Sequence, residues 1–167
     1  MRPSLTFSFV HCGLSILLLG ALSMALRLPL LLPAVGASAY LVFADPRSQL
    51  AAPRNVLVGH TLGAAIGWGM LVLFGLAGVS SSLTAAVTWP RIGAVAGALA
   101  LTIGVLRALR CSHPPAGATT MIVAMGLLPQ WRHLGDFTLA GALVVLQAAV
   151  ACRLAGHPYP RWSADPA

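Results

Sequence analysis

Ile92-Gly93-Ala94-Val95-Ala96-Gly97-Ala98-Leu99-Ala100-Leu101-Thr102-Ile103-Gly104-Val105-Leu106-Arg107-Ala108-Leu109 carries one charge in eighteen residues. As a helix it is about 27 Å long, close to the roughly 30 Å hydrocarbon core of a bilayer. Its one arginine sits near the end, where a long side chain can snorkel to the headgroups. Five more apolar segments accompany it: Phe9–Leu26, Leu28–Ala44, Asn55–Ala77, Pro114–Pro129 and Phe137–Leu154. Four of the six are long enough to span. Leu28–Ala44 and Pro114–Pro129 are short and carry prolines near their starts, so each is either a short crossing or a re-entrant segment.

Composition agrees. Of 167 residues, 58% are apolar and 8% charged, with 10 basic residues, 3 acidic ones and a net charge of +7. Every basic residue is Arg and every acidic one is Asp. Mean hydropathy is +0.88. A soluble domain carries about a quarter charged residues, so this chain cannot cover a water-facing surface. A soluble enzyme, a disordered chain and a nucleic-acid binder are all disfavoured. The arginines are spread between apolar stretches rather than gathered on one face. Arg2 and the following apolar run resemble a signal peptide. The run is too long for one and more spans follow, so it reads as an uncleaved first helix.

Arginine placement ranks the topologies. With six crossings, Arg2, Arg47, Arg54, Arg107, Arg110, Arg153 and Arg161 fall on one side and Arg27, Arg91 and Arg132 on the other. With the two short segments re-entrant, the split is six against four. The positive-inside rule favours six crossings with both termini cytoplasmic, in a bacterial inner membrane. Arg91 reads as an interfacial anchor, as do Trp89, Trp131 and Trp162. Trp68 lies mid-span and is expected to pack between helices.

A shift of 81 residues lays Pro33-Ala34-Val35-Gly36-Ala37-Ser38-Ala39-Tyr40-Leu41-Val42 on Pro114-Pro115-Ala116-Gly117-Ala118-Thr119-Thr120-Met121-Ile122-Val123. The order long–short–long then recurs in both halves, about 9–77 and about 90–155. Three crossings per half turn the second half upside down. The expected fold is an all-α membrane bundle, one transmembrane domain over 1–167, built as a 3+3 inverted repeat. In such repeats, short Pro/Gly-interrupted segments at matching positions mark the binding site.

The candidate binding residues therefore cluster on those segments. Pro114 and Pro115 suit a first helical turn, with Ser112 as N-cap. Free N–H groups at that helix start favour an anion. Gly36 and Gly117 allow close approach, Ser38, Thr119 and Thr120 add hydroxyl donors, and His113 can donate or titrate. The competing account is a capped short helix whose hydroxyls bond their own backbone. Arg54 and Asn55 are expected to cap the third long stretch, with Arg54 attracting anions or simply anchoring at the interface. His60 inside a span is a functional candidate by default, against a neutral imidazole bonded to a neighbouring helix. Asp136 reads as a plain N-cap. Gly59, Gly63 and Gly67, like Gly93 and Gly97, form small-residue faces for close helix packing.

Asp45, Asp136 and Asp165 all lie outside span centres, so no proton-relay carboxylate or paired-carboxylate chemistry is expected. The three cysteines and five histidines show no metal spacing, and no cofactor is implied. Gly36-Ala37-Ser38 with a distant His60 only faintly suggests an intramembrane serine hydrolase.

His113-Pro114-Pro115-Ala116-Gly117-Ala118-Thr119-Thr120 resembles the motif for which the HPP family of integral membrane proteins is named. Gly36-Ala37-Ser38-Ala39, Asp45-Pro46, Gln49 to Val56 and Gly59-His60 are also similar to that family, so the likeness runs from about Leu14 to Val150. It implies a membrane protein usually described with four spans. Plant and cyanobacterial members are associated with nitrite transport, and some carry a C-terminal CBS-domain pair, which is not expected in these 167 residues. The motif positions carried over are Arg54, Asn55, His60, His113, Pro114 and Pro115. Together these readings point to a carrier for a small inorganic anion, plausibly nitrite or nitrate. Its partners would be the lipid bilayer and further copies of itself in a homo-oligomer. The alternative is a non-transporting membrane scaffold.

Overall fold

The computed structural model describes residues 3–164; Arg2 and Asp165 lie outside them. Six α-helices account for the architecture, with no strand among the described residues: α1 (Leu5–Leu26), α2 (Pro33–Ala44), α3 (Pro53–Leu73), α4 (Trp89–Ala108), α5 (Pro115–Ala124) and α6 (Leu134–Leu154). Four of them, α1, α3, α4 and α6, are long and apolar enough to cross a membrane. The other two, α2 and α5, have 12 and 10 residues, about 18 and 15 Å.

Local chemistry sets the boundaries. Ser4 accepts a hydrogen bond from the Phe7 N–H and starts α1 four residues earlier than the apolar run suggests. Arg27 ends it in the left-handed region at φ 54. Pro33 pushes Leu32 into an extended conformation (φ −106, ψ 128). Residues 28–32 are non-helical, with the Leu30 and Leu32 N–H groups bonding the Leu28 and Leu30 carbonyls, and α2 begins only at Pro33. Prolines occupy the first turn of α3, α4 and α5 as well, where a missing N–H costs nothing. One expectation fails here: Ser112 does not cap α5. The N-cap is Pro114, and the turn is closed by the Ala116 and Gly117 N–H groups on the His113 and Pro114 carbonyls. Two prolines in succession fix that turn without a side-chain cap.

Consecutive segments run antiparallel. Ser8 bonds the Phe43 carbonyl and Cys12 the Ala39 carbonyl, while Ser23 meets Leu28 and Leu30. The non-helical stretch plus α2 thus returns along nearly the whole of α1. Residues Gly93 and Gly97 of α4 face Phe74 and Met70 near the end of α3. Thr102 of α4 meets Thr120 of α5, and Arg91 meets the end of α5 at Ala124. The chain beyond α6 comes back to the start of α1, with His157 edge-on to Phe7 at 4.8 Å. The start of α1, the end of α2, the start of α3, the end of α4 and the residues after α6 therefore share one end of the bundle. Arg47, Arg54, Arg107, Arg110, Arg153 and Arg161 belong to that end; Arg27, Arg91 and Arg132 belong to the other.

The tightest seam is between α3 and α5, which run parallel. A Cβ on Gly63 would lie 2.7 Å from the Ala116 carbonyl oxygen, and one on Gly67 would lie 2.7 Å from that of Thr120. Only glycine lets the two backbones meet, as the four-residue stripe predicts. Trp68 is half-buried against the core.

Arg91 departs from the interfacial reading. It is 4% exposed and donates to the carbonyls of Ala124, Val79 and Ser80. The last carbonyls of a helix have no partner within it. A buried guanidinium that satisfies the end of α5 and the preceding loop explains the position. Asp136 sits in the first turn of α6 with its carboxylate 2.8 Å from His133 Nδ1, an acidic group at the favourable end of a helix dipole.

Candidate functional site: a serine bridging two buried histidines

His60 lies seven residues into α3, about 10 Å from its start. Its ring is fully enclosed. Gly141 of α6 makes the space: a Cβ there would stand 3.2 Å from His60 Cδ2. Nε2 of His60 lies 2.8 Å from Ser38 Oγ on α2, and Nδ1 lies 2.7 Å from Thr119 Oγ1 on α5. His113, just before α5, places its own Nε2 2.8 Å from the same Ser38 Oγ and its Nδ1 2.8 Å from the Leu50 carbonyl. The two imidazoles stand edge to face, 5.1 Å apart. Ser38, His60 and Thr119 are 0% exposed and His113 2%.

The partners fix the proton positions. A carbonyl oxygen only accepts, so His113 Nδ1 carries the hydrogen toward Leu50. In a neutral ring its Nε2 is then an acceptor, and Ser38 must donate to it. Ser38 Oγ in turn accepts from His60 Nε2–H. That leaves His60 Nδ1 as acceptor for the Thr119 hydroxyl. The result is a directed chain, Thr119 to His60 to Ser38 to His113 to Leu50, in which every polar atom is satisfied, as burial requires.

His113 also forms part of the floor of a cleft of about 960 Å³ that opens at the arginine-rich end. Arg54, Arg107 and Arg110 line it, with Gln49, Asn55 and Thr102. No carboxylate lines it among the described residues. Arg54 and Asn55 do not cap α3, contrary to expectation. The Arg54 guanidinium donates to the Leu109 and Arg110 carbonyls beyond α4, at 3.0 and 3.2 Å. Asn55 Nδ2 donates to the carbonyls of Gln49 and Ser112. Both side chains reach across to loop carbonyls; of these, Gln49's also accepts from the Ala52 N–H. Cys111 lies in the same loop, and burial pushes its thiol above the ordinary range.

The remaining predicted residues separate. Pro114 and Gly117 line the cleft wall, and Pro115 is buried at the start of α5. Thr120 bonds Thr102 Oγ1 at 2.9 Å and its own helix, away from the histidines. Gly36 faces Ile16 of α1 and belongs to packing. Sequence reasoning missed Gln49, Leu50, Thr102 and Gly141. Gly141 did carry a signal: it falls 81 residues after His60, just as Thr119 falls 81 after Ser38.

Comparison with known proteins adds three findings. A family model described as HPP, transmembrane region, matches residues 2–160. Two transmembrane proteins of Dictyostelium discoideum are similar to the chain. One is 31% identical over 127 residues, covering 74% of this chain and 41% of the relative. The other is 32% identical over 123 residues, covering 72% and 36%. The chain thus spans less than half the length of these curated relatives. No solved structure matches it.

Proposed function

The chain belongs to the HPP family of transmembrane proteins, and from that premise we propose that it is a membrane carrier for a small inorganic anion, with nitrite or nitrate as substrate. The supporting observation is the cleft, in which three arginines and no described carboxylate surround an approach to His113. The arginines raise the local anion concentration at the mouth. Among the described residues, the charges a cation would meet on the way in are all positive.

On this reading the arginine-rich end is cytoplasmic, all six segments cross, and the two halves form an inverted repeat. Ser38 and its counterpart Thr119 then flank the single ring of His60, and His60's own counterpart, Gly141, leaves room for it. A bundle this thin works as a homo-oligomer. Two other readings fare worse. A scaffold would need its glycine faces free, but those of α3 and α4 are filled by α5, Phe74 and Met70. A hydrolase would need Ser38 open to a scissile bond, but its oxygen is enclosed by two imidazoles and its own helix carbonyl.

The test is uptake of nitrite and nitrate into proteoliposomes holding the purified chain. Flux above that of empty vesicles is expected, and His113→Asn should abolish it. Absence of flux for either anion would remove the carrier reading. Labelling of Ser38 by a fluorophosphonate would restore the hydrolase.

A further inference from the structure

We propose that the Ser38-bridged histidine pair binds one exchangeable proton, and that this proton accompanies the anion through the protein. The inference rests on the carrier reading and specifies its coupling ion.

The argument is one of hydrogen-bond accounting. Ser38 Oγ has three neighbours: His60 Nε2 and His113 Nε2 at 2.8 Å each, and the Ala34 carbonyl at 3.3 Å. A hydroxyl offers one hydrogen and two lone pairs. With the pair neutral, the hydrogen goes to His113 Nε2 and one lone pair accepts from His60. Now let one proton from a hydronium ion in the cleft bind His113 Nε2, leaving a water molecule behind. The Ser38 hydrogen turns to the Ala34 carbonyl, and both lone pairs accept N–H groups, one from each ring. One O–H bond of hydronium breaks, one N–H bond forms on Nε2, the ring gains one positive charge, and no bond within the protein breaks. Every polar atom is satisfied in both states.

The surroundings hold few competing charges. From α2 the pair faces only Ser38 and the Ala34 carbonyl. On α3, Arg54 lies six residues before His60 with its guanidinium held by two carbonyls. Arg107 and Arg110, at the end of α4 and just after it, line the cleft with His113. From α5 the pair meets Thr119, from α6 Gly141, and from the turn at Gln49–Ala51 the Leu50 carbonyl. Asp136, on α6, is engaged by His133. No described carboxylate therefore compensates an imidazolium at this depth, and a co-bound anion would. Burying a lone anion or a lone cation is costly, whereas the two together form a neutral pair.

Two measurements test this. The first is NMR of the purified protein with isotope-labelled histidine, assigned with His60→Asn and His113→Asn. At about pH 8 His60 should carry hydrogen on Nε2 and His113 on Nδ1; toward about pH 4 one ring of the pair should become doubly protonated. The second is nitrate uptake with a pH dye inside the vesicles, since nitrous acid crosses bilayers unaided. An inward gradient of one pH unit should accumulate nitrate about tenfold for one proton per anion, and Ser38→Ala should lose that dependence. The proposal is overturned if both rings share one tautomer, or if neither gains a proton. Nitrate flux without proton entry overturns the coupling and leaves the carrier standing. No flux at all, with the titration intact, overturns the coupling together with the carrier and leaves a proton site without transport.

Discussion

Replacing Gly63 with Ala should damage the protein more than its size suggests. The added Cβ would sit 2.7 Å from the Ala116 carbonyl oxygen and 2.9 Å from Thr120 Oγ1. Ordinary contact begins near 3.4 Å, so α5 must retreat by the difference, 3.4 − 2.7 = 0.7 Å. The nearest atom is backbone, so no side-chain rotation relieves the clash. Overpacking of this kind costs about 1–3 kcal/mol. At about 2–4 °C per kcal/mol for a chain of this size, the thermal midpoint should fall by roughly 2–12 °C. The retreat also stretches the 2.7 Å contact of Thr119 with His60, so the Nδ1 NMR signal of His60 should shift as that acceptor loses its donor. Gly69 on the same helix is the control, because a Cβ there meets nothing within 4 Å. Gly69→Ala should hold or raise the midpoint, since alanine gains about 1 kcal/mol of helix propensity. Thermal unfolding in detergent, followed by size-exclusion fluorescence, measures both. Equal midpoints for the two variants would refute the packing of α3 on α5.

Three further outcomes follow from the fold. Arg91→Ala strips the donors from the Ala124, Val79 and Ser80 carbonyls and should cost about 1.5–3 kcal/mol, read as a lower midpoint; Arg91→Lys, which keeps the charge but not the fork, should recover only part, and full recovery would refute the capping role. Arg107→Gln, at an exposed cleft position, should raise the apparent KM for nitrate about two- to fivefold at low salt and much less at high salt; a salt-independent change would place its effect elsewhere. Single cysteines at positions 27 and 132 should react with an impermeant maleimide from one side of the membrane and those at 47 and 161 from the other, whereas Cys111, buried with its thiol held neutral, should stay unlabelled. Labelling of all four positions from one side would break the antiparallel order.

What the sequence made legible was local. Pro33, Pro53 and Pro115 mark helix starts because a missing N–H is harmless only there. Gly59, Gly63 and Gly67 mark a seam because small residues at four-residue spacing admit a second backbone. Ser38, His60, His113 and Thr119 each stood out singly, as polar groups in apolar segments. That they form one hydrogen-bonded chain depends on parallel packing of α3 with α5, which no local pattern encodes. The failures share a cause. Arg54, Asn55 and Arg91 were each read against their own helix, where a cap or an interfacial anchor is the natural role. Each instead donates to carbonyls outside its own helix, most of them without another partner. Those acceptors lie 6 to 57 residues away in the chain. An unpaired carbonyl is a property of the folded loop and leaves no mark on residue type.

The glycine seam has a mechanical corollary. With backbone against backbone, α3 and α5 behave as one stiff lever, and it carries both imidazoles. Ser38 rides on α2, which is joined to α1 and only laid against that lever. A tilt of α2 would therefore part Ser38 from both rings at once and leave the rings 5.1 Å apart as before. In the proposed proton-coupled cycle the hydroxyl would then serve as a latch between two parts, fastened when it meets both rings.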